Sequence, residues 1–279
     1  PLRVFIRAGE KTHGPGQHDH PRFLEEWQQL LNERGAKATG KLEFPSGSEL
    51  ENTDVLVMYA AEAATIEPAQ RADLEKFLKR GGGIVVIHDA ICGKDPAWFQ
   101  SIVGGAWEHG KSKWFEGDIA FYYSDSEHPV TRGASNFDFD DELYYDLHIS
   151  PDARILAATY APDKRNTREG KLFPSVYDIV PQMWVYEKTL EGGQPYRAFV
   201  SIPGHNHTTF SLPHYRAILL RGIAWAGKRE VDSFCSKEEL DSLRYPDGGP
   251  TAPGKAAGKI KVHPDFTLNL VASEPLIEK

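Results

Sequence analysis

Apolar residues in this chain fall into short, nearly unbroken runs separated by amphipathic stretches. LRVFIRA (Leu2 to Ala8), TDVLVMYA (Thr53 to Ala60), GIVVIH (Gly83 to His88) and RAFVSIPG (Arg197 to Gly204) are such runs. Their length and flanking glycines predict strands buried on both faces. Between them, HPRFLEEWQQLLNERG sets Phe23, Leu24, Trp27, Leu30 and Leu31 on one stripe, with Pro21 in its first turn and Gly35 as a stop. That is the pattern of an amphipathic helix. EPAQRADLEKFLKRGG repeats it, AKATGKLEF reads as a further strand, and PHYRAILLRGIAWAG predicts a closing helix. Strands alternating with helices predict an α/β three-layer sandwich around a mainly parallel sheet.

From Trp107 to about Tyr186 the pattern changes. DIAFYYSD, FDFDDELYYDLHI and QMWVYEK are aromatic, acidic and extended. They predict an inserted, largely antiparallel region beside the parallel sheet. After Gly227 the periodicity decays, and RYPDGGPTAPGKAAGK has the composition of a linker. The expected organisation is one domain over 1–227, a linker over 228–258 and the start of a following module over 259–279. The chain opens directly on a strand, which suggests that a segment precedes it.

Composition narrows the functional classes. The 279 residues are 40% hydrophobic and 26% charged, with a formal net charge of -8. An acidic chain is a poor match to a phosphate backbone, so no nucleic-acid partner is expected. No apolar stretch is long enough for membrane insertion. The two cysteines, Cys92 and Cys235, make no disulfide framework and leave their pairing and the compartment open.

The histidines carry the chemistry. His18 and His20 follow the first strand, His88 ends the GIVVIH strand, and His205 and His207 follow the last one. Loops after parallel strands share one edge of a sheet, which is where open α/β folds bind ligands. Any single loop histidine is most simply a satisfied polar group, but three histidine-bearing loops on one edge favour a site. Metal binding and proton transfer both use such a cluster, with Glu142 as the accompanying acid. Metal ligands are expected from His18, His20 and His205, and catalytic groups from His88, Glu142, His207 and Tyr144. Asp89, Trp107 and His128 are candidate substrate contacts. Gly83 and Gly204 are expected to allow close chain approach at that edge. Most of the remaining aromatics are expected to fill the core.

THGPGQHDHPRFLEEW, GGGIVVIHDA, EHPVTRG, DDELYYD and PGHNHTTFSLPHYRAILLRGIAWAG occur in that order. Together they resemble the ThuA-like family, named for trehalose utilisation. The resemblance spans Leu2 to Gly227 and implies the class I glutamine amidotransferase-like fold, a flavodoxin-like sheet with a nucleophile elbow after a central strand. Here the elbow holds His88, while Cys92 lies beyond the turn, so the resemblance argues against glutamine hydrolysis. HPDFTLNLVASEPLIEK is similar to the opening of the dehydrogenase modules that follow ThuA-like domains in large planctomycete-type proteins, some with a haem module further on.

Two functions follow as expectations. The first is a carbohydrate-active enzyme, assisted by zinc, manganese, iron, cobalt or nickel. It would cleave or rearrange a glycoside or 3-keto glycoside by proton abstraction and elimination or hydrolysis. The second is a non-catalytic carbohydrate-binding module serving a downstream dehydrogenase. The resemblance of the tail implies a periplasmic or secreted protein, with a cytoplasmic home left open.

Overall fold

Four buried strands and one edge strand build the parallel half of the sheet, and the helices between them follow from the stripes above. The computed structural model describes residues 1–162, 167–168, 171–172, 177–244, 265–267, 269 and 271. In chain order the elements begin β1 (Arg3–Ala8), α1 (His20–Glu33), β2 (Lys37–Lys41), α2 (Gly47–Glu51), β3 (Val55–Tyr59), α3 (Pro68–Lys79), β4 (Gly83–Ile87) and α4 (Pro96–Val103). They continue with β5 (Gly105–Ala106), β6 (Lys113–Tyr123), β7 (Phe137–Tyr145), β8 (His148–Ile149), β9 (Arg154–Pro162), β10 (Thr167–Arg168) and β11 (Lys171–Leu172). β12 (Tyr177–Thr189), β13 (Pro195–Ser201), α5 (Pro213–Ala226) and α6 (Lys237–Arg244) follow among the described residues.

The main sheet has nine strands in the order β2-β1-β3-β4-β13-β12-β9-β6-β7. The first five are mutually parallel, in the doubly wound order of flavodoxin-like folds. From β12 onward every pairing is antiparallel. The inserted region therefore extends the parallel sheet rather than standing beside it. Alternate residues of each parallel strand feed two cores. Val4, Ile6, Val57, Val85 and Ile87 pack against Phe23, Trp27 and Leu31 of α1 and the apolar face of α5. Phe5, Leu56, Met58, Ile84 and Val86 pack against Leu50, Leu74, Phe77, Phe99 and Val103 from α2, α3 and α4. This makes three layers.

Two short helices went unread in the sequence because their signals are local. Ser46 and Glu49 form a capping box at α2. Asp95 caps α4 by accepting from the Trp98 N–H at 3.1 Å, Pro96 opens the helix and Gly104 closes it in the left-handed region.

The β6–β7 ribbon decides where the site lies. β6 pairs with β9 only through Tyr122 and Tyr123. Its other end pairs with β7 alone, from Lys113↔Tyr145 to Phe121↔Phe137. This free arm reaches the carboxyl ends of the parallel strands. A bulge in β12 leaves Gln182 outside the ladder, and its side chain pairs with the backbone of Tyr144 on β7.

Packing continues past Gly227, where a linker was expected. α6 lies against α5, with Leu243 in the core and Glu239 only 1% exposed. Glu239 accepts from Arg34 (3.1 Å), Arg216 (2.7 Å) and the Ser236 N–H (2.6 Å). Composition missed this because a buried carboxylate looks like surface polarity until its arginines, far away in sequence, are seen. The rest of the expected linker and nearly all of 259–279 lie outside the described residues. Replacing Glu239 with Ala strands two guanidinium groups, and chemical denaturation should show a loss of about 1–3 kcal/mol. A change within experimental error would mean that α6 is not part of the cooperative unit.

Candidate metal and acid–base site

Three loops and the ribbon converge at the carboxyl edge of the parallel strands. The loop after β1 brings His18, the turn after β4 brings His88, and the loop after β13 brings His205. β7 brings Glu142. Each loop is tied down by backbone contacts. The His18 N–H donates to the His205 carbonyl at 2.9 Å and the His207 N–H to the Gly16 carbonyl at 2.7 Å. The Tyr59 and Tyr215 hydroxyls hold the Gly204 and Pro203 carbonyls, each at 2.6 Å.

His88 opens a 3-10 turn (His88–Ile91) immediately after β4, with φ at 52°. His18 also sits in the left-handed region, at 42°. Side chains rarely adopt this conformation without a surrounding structure that enforces it. Gly204, at φ 145°, is what lets the β13 loop pass: a Cβ there would lie 3.2 Å from that of His88 and 3.1 Å from Phe210. Gly83 does no such work, because it begins β4 and packs on Ala226 at the opposite edge.

The ligand atoms face one another. His18 Nε2 lies 2.8 Å from His205 Nδ1 and 3.1 Å from His88 Nε2. Glu142 Oε2 lies 3.2 Å from His88 Nε2 and 3.5 Å from His205 Nδ1. All four residues are buried, with these atoms within 4.8 Å of one another. The remote nitrogens set the tautomers. His88 Nδ1 donates to the Ile202 carbonyl at 2.7 Å. His18 Nδ1 stands 2.8 Å from Asp89 Oδ2, close but poorly aligned for a hydrogen bond. His205 Nε2 points toward Glu116 at 3.5 Å. The inward ring atoms converge on one point, an arrangement that is repulsive unless protons or a metal cation sit between them. In a tetrahedral site with nitrogens at ~2.1 Å from a metal, neighbouring donors lie ~3.4 Å apart. The donor set fits a divalent ion after a small expansion.

Electrostatics agree at His18 and Glu142, whereas His88 is drawn toward its protonated form, whose ring proton a bound cation would have to displace. Burial, against the pull of Asp89, lowers His18 to about 4, so its ring is neutral and free to ligate. Burial opposes ionisation of Glu142, but hydrogen bonds from His205 and His88 win and hold it near 2, as a carboxylate. Burial likewise opposes the imidazolium of His88, and there Glu142, Asp89 and Asp141 outweigh it and raise the pKa. Burial pushes the Tyr144 hydroxyl well above its ordinary range, so it stays protonated, 3.2 Å from His88 Nε2.

Above the cluster lies a cleft of about 390 Å³, lined by Trp107, Trp114, Tyr144, Asp89, Glu116 and Glu62 among others. The Trp107 and Tyr144 rings meet at 4.7 Å. Cys92 is buried there, its thiol pushed far up by burial, and it is free, as is Cys235.

With this geometry in hand, comparison with known proteins identifies the lineage. The profile of the ThuA family, described as trehalose utilisation, matches residues 4–226. The chain belongs to the ThuA family. No curated protein matches it significantly. Among solved structures, a protein described as ThuA-like from Bacteroides uniformis aligns with TM-score 0.59 at 18% identity, covering 81% of this chain and 91% of its own. Another, from Parabacteroides merdae, aligns at 0.58 and 16% identity, covering 85% and 100%. These likenesses confirm the fold, an amidotransferase-like α/β sandwich around a mainly parallel sheet.

Not every expected residue of this ThuA-family chain joins the site. His18, His88, Asp89, Trp107, Glu142, Tyr144 and His205 do. His20 stands behind it, with Nδ1 on the Glu10 carbonyl at 2.8 Å and Nε2 on Asp89 at 3.1 Å, and with His18 and Asp89 it forms a second buried group whose donor atoms lie within 4.8 Å of one another. His207 is a correction: it starts the next 3-10 turn and its Nε2 meets Glu26 of α1 at 2.9 Å, away from the cleft. His128 is another: its ring packs on Trp225 at 5.1 Å, at the far end of the sheet where α5 terminates.

Asp141 was overlooked. It is fully buried and accepts from the N–H groups of Glu142 (2.7 Å), Gly204 (3.1 Å) and His205 (3.0 Å), and from the Thr209 hydroxyl. The acidic run DDE was the available signal, but which acid points inward depends on register.

One divalent ion should bind per chain. At a hundredfold excess over Kd it should add about 2.7 kcal/mol of stability, removable with a chelator. In titration calorimetry Asp141→Asn should weaken that binding by about 10–100-fold, because His205 and Glu142 lose their common anchor. Unchanged affinity in a folded variant would deny Asp141 this role.

Proposed function

We propose that this protein is a metal-dependent enzyme that cleaves or rearranges a glycoside or 3-keto glycoside. The observation that carries the reading is the convergence of three imidazole nitrogens and an ionised carboxylate beneath an aromatic-walled cleft. Membership of a family described as trehalose utilisation supports the substrate class. Trp107, Trp114 and Tyr144 offer flat apolar faces suited to the C–H faces of sugar rings, and the cleft is of small-ligand size. A module that only binds sugar has no use for buried histidines whose lone pairs converge.

His18, His88 and His205 would hold the ion, since three nitrogens with an open position is a common catalytic arrangement. Zinc, manganese, iron, cobalt and nickel all suit such donors. When bound, the ion supplies Lewis acidity to a substrate oxygen. Glu142 accepts the proton from the carbon beside a keto group, the role for which it is held ionised. The C–H electron pair moves toward the carbonyl, and its return expels the glycosyl oxygen, which leaves as an alcohol after protonation. Tyr144 keeps its own proton and donates a hydrogen bond to a substrate oxygen. Hydrolysis by attack of water uses the same groups, with Glu142 taking the proton from water.

The test combines metal analysis with turnover on glycosides and their 3-keto forms. His88→Ala and His205→Ala should lose both metal and activity. Glu142→Gln should keep the metal and lose about 100-fold or more of the rate. Cys92→Ser should stay within a few-fold of the parent, because a buried thiol held protonated is not a nucleophile. A parent protein that binds no metal, or that turns over none of these sugars, would overturn the proposal.

A further inference from the structure

The charge on the cleft wall deepens that reading, on which this inference rests. Among the described residues four carboxylates line the cleft, those of Glu62, Asp89, Glu116 and Glu142, and no lysine or arginine does. They are not equivalent. Asp89 is compensated by His18 and His20, and Glu142 by His88 and His205. Glu62 and Glu116 stand at the mouth, about half exposed, and among the described residues their ionisable partners are His109 and His205. The nearby ammonium of Lys11 is turned onto loop carbonyls, 2.7 Å from Gly14 and 2.8 Å from Gln17.

Glu116 is held there at some cost. It lies directly opposite Glu142 in the β6–β7 ladder. Like charges facing each other across an antiparallel pair are unfavourable. Gln17 nevertheless fixes Glu116 over the cleft by donating at 2.9 Å. Glu62 occupies the left-handed region, at φ 56°, and its side chain meets His109, which accepts from the Trp107 indole at 3.3 Å. A second observation points to a ligand. His205 is 3% exposed and lines the cleft, and its Nε2 has no hydrogen-bond partner. With Glu116 no closer than 3.5 Å, it is placed to meet a ligand oxygen in the cleft that exposed Trp114 also lines.

We propose that the cleft takes uncharged polyols and excludes sugars bearing a phosphate or carboxylate, with Glu62 and Glu116 carrying the discrimination. A neutral hydroxyl satisfies His205 Nε2 and still donates to Glu116. An anion brought to the same mouth meets two carboxylates in a partly desolvated space, where repulsion is only weakly screened. Selectivity here comes from a repulsive element rather than from an added attraction.

The experiment uses the full chain loaded with the ion that metal analysis identifies. Calorimetry compares trehalose with trehalose 6-phosphate, and a methyl glucoside with the matching methyl glucuronide. At low salt each neutral sugar should bind at least about tenfold more tightly than its anionic partner. The ratio should shrink to about threefold in Glu62→Gln/Glu116→Gln, and fall part-way in either single variant, which serves if the double variant does not fold. Anionic sugars binding as tightly as neutral ones would overturn the inference while leaving the carbohydrate reading intact. A preference that persists undiminished in the variants would remove Glu62 and Glu116 from the role. If none of the four sugars binds the metal-loaded protein, the carbohydrate reading itself fails, and this inference goes with it.

Discussion

The carboxylate of Asp141 is the joint on which the site depends. Everything parallel in the sheet delivers its loops to one edge by topology alone. The ribbon of β6 and β7 has no such guarantee, since it leaves the sheet after two pairs with β9. Asp141 closes that gap by accepting from two consecutive N–H groups of the β13 loop and from Thr209. Buried N–H groups without partners are costly, so the loop and the ribbon are each incomplete without the other. Gln182 repeats the tactic one step along, pairing its amide with the backbone of Tyr144.

The site concentrates unfavourable terms that the scaffold absorbs. Two of its histidines have left-handed backbones, several ionisable groups are removed from water, and ring nitrogens are pressed together. Two extensive apolar cores lie immediately below, with Tyr59 and Tyr215 clamping the β13 loop from a strand and a helix. Strain gathered where the fold is most rigid is characteristic of functional positions. The carboxylates keep the cluster from being purely cationic or purely apolar, while the Ile202 carbonyl sets which nitrogen of His88 faces inward.

The parallel half of the fold was legible because strands buried on both faces leave runs that nothing else explains, and amphipathic stripes leave helices. The edge that collects His18, His88 and His205 followed from that topology. The misplacements have physical causes. His205 and His207 are two apart in one loop, and a 3-10 turn sends the second to Glu26 instead of the cleft. His128 shares composition with the site residues but sits after an antiparallel strand, which ends at the other edge. Asp141 and Glu142 are adjacent, so one residue of register separates the anchor from the acid, and sequence alone does not set register. α6 was hidden because its burial is paid through arginines remote in the chain.

The hairpin geometry has an evolutionary consequence. The metal-directed histidines come from three loops of the doubly wound half, whereas Glu142, Tyr144, Trp114 and Glu116 all ride on one two-stranded arm. A single insertion, deletion or slip in that arm would exchange the acid, the stacking surface and the charged rim together. Descendants of such a scaffold would keep the ion-holding half and diversify in jumps, trading reaction and substrate as a linked pair rather than one at a time.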